Sequence, residues 1–246
     1  MKMILPRLRL IILSDLHGVF PVIGPEWDGW DILILGDVVN NGGILEYLRF
    51  QEWLATIRQG RKVFLARGNH DAGQLGNMPS ERAIALFDEI TLDLQGHSFH
   101  NKEPQVITSP EGTLVLLDSV CRTISPHDYA QGEIGTEQMD RLDKILASRL
   151  IHPVTVALHH DPLCADTSLL LKDAGRFVGL VERRADFVVF GHSHERPLYT
   201  KFPAGETRYI RCSSWPEEVE YGKYGVHEPW VWTLDGDHWR LQELAA

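Results

Sequence analysis

The chain has 246 residues, enough for one large domain or two small ones. Hydrophobic residues make up 43% and charged residues 24%, the balance of an ordinary globular protein, which excludes a disordered, collagen-like or coiled-coil chain. The formal net charge of −10, from 24 basic and 34 acidic residues, argues against tracking along a nucleic-acid backbone and favours small substrates or metal ions.

From the N-terminus, Pro6, Arg7 and Arg9 interrupt the apolar run of Met1 to Leu13, and no small-residue cleavage site follows. Ile11-Ile12-Leu13 therefore reads as a buried first strand and not as a secretory signal. Further short apolar runs lie at Ile32–Leu35, Val63–Ala66, Leu114–Leu117, Val154–Leu158 and Phe187–Phe190. They are too short for helices and continuous where a half-exposed strand would alternate, so they read as strands covered on both faces. Between them, Ile44–Ile57 and Thr136–Leu150 carry apolar residues at helical spacing, with Thr136 as the expected N-cap. A third helix is expected over Ser168–Arg183, and residues 74–112 read as irregular. After Arg196 the pattern turns to short β-like pieces, with Trp230 and Trp232 on one strand face. Strands alternating with helices imply an α/β domain, read as one unit over 1–246. Cys121, Cys164 and Cys212 form no CxxC pair, which points to a reducing, cytoplasmic location without a disulfide framework or thiolate zinc site. No apolar run approaches the roughly 18 residues of a membrane span.

The chemistry lies directly after the strands. Leu13 is followed by Ser14-Asp15-Leu16-His17, Leu35 by Gly36-Asp37, and Ala66 by Arg67-Gly68-Asn69-His70-Asp71. Leu158 is followed by His159-His160, and Phe190 by Gly191-His192-Ser193-His194. Ligands bind at the carboxyl ends of strands in open α/β sheets, so five polar clusters there point to one crevice. Carboxylate, imidazole and amide ligands without thiolate suit Mn²⁺, Fe, Co²⁺ or Zn²⁺. Gly36, Gly68 and Gly191 are expected to let the backbone turn so that the next side chain enters the site.

These blocks, in order and separated by 22, 32, 90 and 33 residues from Asp15 through Asp37, Asn69 and His159 to His192, resemble the signature of the calcineurin-like metallophosphoesterase superfamily. The resemblance implies a four-layer α/β/β/α sandwich of two mixed sheets flanked by helices, with two divalent metal ions (Mn, Fe, Zn or Co) at the top between the sheets. It implies that Asp37 and a hydroxide bridge the ions, one of which takes Asp15, His17 and His194 and the other Asn69, His159 and His192. Such a centre keeps a net charge of about +1 for an anionic phosphate, and paired ions clamp both oxygens of an in-line displacement. In the family pattern His70 assists the leaving group, and Asp71 resembles the carboxylate that orients it.

Residues 8–200, with Leu116-Leu117-Asp118-Ser119 and Gly132-Glu133-Ile134-Gly135, further resemble the class III cyclic-nucleotide phosphodiesterase branch. That likeness implies a phosphodiester substrate, of small-molecule size. Departures from the pattern are Asn40, where relatives also carry Asp, and Asp161, an acid that would repel a doubly charged monoester. The alternatives are a phosphomonoesterase, a nuclease, or a non-catalytic metal-stabilised binding module. A nuclease needs a basic track, for which Arg61, Lys62, Arg67, Arg122 and Arg176 are the candidates. Arg82, Arg122 and His127 are candidates for substrate contact in the two segments expected to set specificity, 74–112 and 121–135. His160 has two readings, a group serving the site or a structural histidine. The histidines outside the motif read as surface or packing residues, and no membrane contact is expected.

Overall fold

Each of the six apolar runs becomes a strand. The structure, a computed structural model, describes residues 3–4, 8–58, 60–74, 78–99, 101–120, 130–214, 230–235 and 237–243. In chain order the elements are β1 (Met3–Ile4), β2 (Arg9–Leu13), β3 (Asp31–Ile34), α1 (Ile44–Ile57), β4 (Val63–Leu65), α2 (Asn69–Ala72), β5 (Gly73–Gln74), β6 (Met78–Pro79), α3 (Glu81–Gln95), β7 (Gln105–Ser109) and β8 (Gly112–Leu116). There follow α4 (Thr136–Ala147), β9 (Val154–Ala157), α5 (Ala174–Val181), β10 (Phe187–Phe190), β11 (Leu198–Lys201), β12 (Arg208–Arg211), β13 (Trp230–Asp235) and β14 (His238–Glu243).

The large strands form two mixed sheets. One has the order β1-β7-β8-β9-β10-β12-β11, the other β14-β13-β2-β3-β4. The period of two along β8 separates the layers. Leu114 and Leu116 pack into a core shared with the second sheet, α1 and α3, through residues such as Ile12, Leu33, Phe50 and Phe87. Val115 and Leu117 face the opposite way, into a core with Met139 and Leu142 of α4 and Phe177 of α5. Both faces of the sheet are thus buried, which is why its strands read as continuous apolar runs. The α/β/β/α order follows, as expected from the resemblance.

Three local expectations are corrected. Helix α3 lies inside the segment read as irregular. Its buried Ala83, Ile84, Phe87 and Ile90 recur at helical spacing, but the surrounding Gly, Pro and Ser masked that pattern. The side chain of Gln95, at the end of α3, bonds the backbone N–H (2.7 Å) and C=O (3.2 Å) of Leu65 and so covers the free edge of β4. Thr136 is the first helical residue of α4 and not its N-cap. The carboxylate of Asp173 instead accepts the N–H groups of Ile134 (3.2 Å) and Gly135 (2.8 Å), a cap supplied from 38 residues away. Helix α5 begins at Ala174, six residues later than expected, because Leu171 bridges to Gly132 and Asp173 is engaged at α4.

Candidate metal centre

All seven expected ligand residues come together where the carboxyl ends of β2, β3 and β4 meet those of β9 and β10, one set from each sheet. Backbone bonds stitch the loops: Asp15 N–H to Gly36 C=O (3.1 Å), His17 N–H to Asp37 C=O (2.8 Å) and Gly191 N–H to His159 C=O (3.0 Å). Among the described residues, seven non-glycine positions have positive φ, and five of them are Asp15 (53°), His17 (46°), Asp37 (53°), His192 (73°) and His194 (50°). Left-handed backbone at such residues costs about 1–3 kcal/mol each and persists only where the surroundings hold it, typically at a functional site. Of the glycines expected to turn the chain, only Gly36 has a positive φ, at 98°. At Gly68 the need is space, since a Cβ would collide with Asp37 Oδ1, and at Gly191 it would collide with Ser14 Oγ.

Two donor sets share Asp37. On one side His17 Nε2 and His194 Nε2 are 3.1 Å apart, with Asp15 Oδ1 3.4 Å from His194 Nε2 and Asp37 Oδ2 3.9 Å from His17 Nε2. On the other, His159 Nε2 lies 3.0 Å from Asn69 Oδ1, 3.1 Å from His192 Nδ1 and 3.3 Å from Asp37 Oδ2. The far nitrogens fix the protons. Asn40 Nδ2 donates to His17 C=O (3.1 Å), so Asn40 Oδ1 faces His17 Nδ1 (2.9 Å) and that nitrogen carries the hydrogen. His159 Nδ1 likewise faces Leu35 C=O at 2.7 Å. In the neutral rings, Nε2 of both residues is therefore a lone pair aimed at other acceptors, and Asp15 Oδ1 is buried without a hydrogen-bond partner. Converging buried lone pairs and carboxylates are costly unless a cation takes them. The donor set thus fits two divalent ions, with nitrogen and oxygen ligands and anchored far nitrogens.

The buried acids draw positive charge onto the imidazoles nearest them, His194 and His159. Burial works against ionisation of Asp15 and Asp37, yet neighbouring imidazoles, His194 at Asp15 and His159 at Asp37, hold both carboxyls below the usual carboxylate range. Burial pushes His17 down to about 4, and burial with the charge of His159 takes His192 down to about 3. Burial opposes protonation of His159 too, but Asp37 raises it to about 9.

His70, partly exposed, stands edge-on to His17, ring centroids 4.8 Å apart. Its Nδ1 faces Asn40 C=O at 2.7 Å, and its backbone N–H donates to Asp37 Oδ1 at 2.9 Å. The expectation that Asp71 orients His70 is corrected here. The Asp71 carboxylate accepts backbone N–H groups from Asp37, Val38, Val39 and Gly68 at 2.8–3.3 Å and clamps the β3 and β4 loops together. Burial and the charge of Asp37 push its carboxyl up to about 7, against those donors. The contact at His70 is made by the backbone carbonyl of Asn40, while the Asn40 side chain serves His17. Glu46 holds that loop by accepting the N–H groups of Asn40 (3.2 Å), Asn41 (3.1 Å) and Gly43 (2.8 Å).

Asp161 is not a free acid facing substrate. It is fully buried and its Oδ2 accepts Arg211 Nε at 2.8 Å, while Arg211 also pairs with Glu195. Of the described candidates for a basic track, Arg61 pairs with Asp28 (2.9 Å), Arg176 with Asp140 (2.6 Å), and Arg67 is buried against Asp118 (2.6 Å). Lys62 and Arg82 are exposed, and Arg122 and His127 lie outside the described residues. Cys164 is buried and free, as is Cys212. Of the histidines outside the motif, His152 pairs with Asp186 at the surface and His97 packs on Phe99. His238 is exposed, and His100 and His227 lie outside the described residues. No described helix is long and apolar enough to cross a membrane.

Comparisons with known proteins converge on this architecture. The family model described as calcineurin-like phosphoesterase matches residues 8–196. Among solved structures, a dimetal phosphatase from Danio rerio superposes with a TM-score of 0.59 at 13% identity, over 98% of this chain and 100% of that one. A candidate 5′-nucleotidase from Staphylococcus aureus gives 0.56 at 12% identity, over 98% of this chain and 55% of that one. GAP50, the anchor in the inner membrane complex of Plasmodium, gives 0.55 at 12% identity, over 96% and 84%. At these identities the likeness is one of fold. No curated protein sequence matches.

Proposed function

The chain belongs to the calcineurin-like phosphoesterase family, metal-dependent hydrolases of phosphoester bonds, and on that premise we propose that it cleaves a phosphodiester in a small substrate at a dinuclear metal centre. The observation that carries this reading is the position of Asp37, whose Oδ2 faces the His17 side and the His159 side at once. Asp15, His17 and His194 would hold one ion, Asn69, His159 and His192 the other, and Asp37 both. When bound, two divalent ions supply Lewis acidity, polarising the phosphoryl group and lowering the pKa of water.

The chain's own groups do the rest. A carbonyl can only accept, so Asn40 C=O keeps the His70 proton on Nδ1 and leaves Nε2 to hold or pass the proton that the leaving oxygen needs. Asp71 holds the two loops that carry Asp37 and His70 in one register, so the proton is presented at a fixed place. The preference for a diester rests on charge. Arg67 and Arg211, the buried guanidiniums flanking the cluster, are each neutralised by carboxylates, which leaves the ions to receive a monoanion.

The test is hydrolysis of bis(p-nitrophenyl) phosphate beside p-nitrophenyl phosphate by apoprotein refilled separately with Mn²⁺, Zn²⁺, Co²⁺ or Fe²⁺. Metal-dependent turnover preferring the diester is the expected result. Preference for the monoester would replace this reading with a phosphatase, and two bound ions without turnover of either ester would count for a binding module.

A further inference from the structure

One fully buried imidazole stands outside the two assigned donor sets, although a ring nitrogen of it lies within 4.8 Å of ligand atoms of His159 and His192. His160 follows His159, and its ring is held on three sides. Ser119 Oγ lies 2.8 Å from His160 Nδ1 and also accepts the His160 backbone N–H at 3.1 Å. Gly132 lies against the ring so closely that a Cβ there would collide with His160 Cγ. The remaining side meets the site: the His192 ring is 4.3 Å away, centroid to centroid, tilted by 50°, and the His159 ring is 4.9 Å away at 86°.

The need for this contact shows in how the ligand rings are anchored. His17 and His159 each have the nitrogen that faces away from the cluster tied by a hydrogen bond, to Asn40 Oδ1 and to Leu35 C=O. His192 has no such tie: its Nε2 is buried and without a hydrogen-bond partner. It also sits on left-handed backbone, at φ 73°. Its ring must therefore be oriented by packing, and the closest ring is His160.

We propose that His160 is a positioning residue that sets the pose of His192 and so the affinity of one of the two ions, the one assigned to Asn69, His159 and His192. The inference rests on the dinuclear reading above and adds a division of labour within it. Each far nitrogen of His17 and His159 is oriented by a polar partner, whereas His192 is oriented by a neighbouring ring that Ser119 and Gly132 hold still. Among the described residues His160 makes no ring or hydrogen-bond contact with Asp15, His17 or His194, and the His192 backbone N–H that reaches Asp15 Oδ2 (3.0 Å) does not depend on the ring, so the proposal places the effect on one ion. Partners that orient metal ligands are worth about 10–100-fold in affinity when removed.

The experiment titrates the apo full-length chain with Mn²⁺, following stoichiometry by calorimetry and spin coupling by electron paramagnetic resonance. The wild type is expected to bind two ions and give a coupled signal. His160→Ala should weaken one ion by about 10–100-fold and leave the other unchanged, so that limiting Mn²⁺ gives an isolated six-line spectrum. His160→Asn can keep the Ser119 bond without the ring and should behave like His160→Ala. Ser119→Ala, which keeps the ring but frees it, should weaken the same ion by less. Unchanged affinities, or an equal fall in both, would overturn the proposal, since a merely structural histidine would move both together. If His160→Ala does not fold, Ser119→Ala decides on the same criterion, its fold checked by circular dichroism. A wild type that binds fewer than two ions would overturn the dinuclear reading itself, before any variant is compared.

Discussion

Two groups of buried acids lie in this chain, and they are partnered in opposite ways. Asp118, at the end of β8, is fully buried and meets Arg67 at 2.6 Å, with Lys102 4.0 Å away. Arg67 also reaches Asp88 at 3.5 Å, and Lys102 Nζ donates to the carbonyls of Val120 (2.7 Å) and Glu133 (3.0 Å). Each acid there faces a permanent cation. Asp15 and Asp37 are as deeply buried, but the groups nearest them are the imidazoles of His194 and His159, which are not permanent cations. Burial of a carboxylate is common to both groups and so does not distinguish them. What does is whether the partners complete its charge or leave room for an added cation.

That contrast can be broken most directly at Asp37. Asp37→Ala should lose both ions and all metal-dependent turnover, checked by metal analysis of the purified variant; a fully loaded, active variant would remove Asp37 from between the two sets. His70→Ala should slow turnover by about 10²–10⁴-fold with both ions still present, because its ring, although edge-on to His17, is not among the assigned ligands. An unchanged rate in a fully loaded variant would take that role away. On the other side of the contrast, Asp118→Asn should leave ion binding intact but cost about 3–5 kcal/mol of stability in a urea titration, because it removes the nearer of the two carboxylates that compensate the buried Arg67 charge. Loss of ion binding without loss of stability would mean that the two acid groups are not separate.

The smallest effect expected is in the pH dependence of stability. Burial raises the pKa of Asp118, but Arg67 and Lys102 outweigh it and leave the folded value below the ordinary 3.8. Its contribution is therefore full above the unfolded pKa and fades as pH falls through the folded one. Asp118→Asn should flatten the acid limb of the stability curve below about pH 4 relative to the wild type, and an unchanged limb would show that Asp118 contributes nothing there.

Much of the candidate site was legible because its residues cluster in short blocks directly behind apolar runs. Asp15, His17, Asp37, Asn69, His159, His192 and His194 needed only that order to be read together. The misreadings share a cause. The family resemblance assigns Asp71 to His70, its neighbour in sequence, but α2 turns its carboxylate toward four backbone N–H groups. Asp161 was counted as a charge, although Arg211, 50 residues further on, neutralises it. The anchors of His70 and His159 are the backbone carbonyls of Asn40 and Leu35, and every residue carries a carbonyl, so no residue type could single them out. Helix α3 did leave a signal, the spacing of Ala83, Ile84, Phe87 and Ile90, which the turn-forming residues around it obscured.

The sequence by itself determined the six strands at the apolar runs and most of the helices, since apolar spacing follows the geometry of each element, but not β7, which lies in the segment read as irregular. It also determined which residue types stand at the strand ends, and with them the resemblance to a metallophosphoesterase. Only the tertiary structure decided which acids remain uncompensated, because that depends on cations brought from distant parts of the chain. It alone decided the hydrogen positions on the imidazoles and the support beneath His192. Those are set by carbonyls, hydroxyls and ring faces whose approach is a matter of packing in three dimensions and leaves no pattern along the chain.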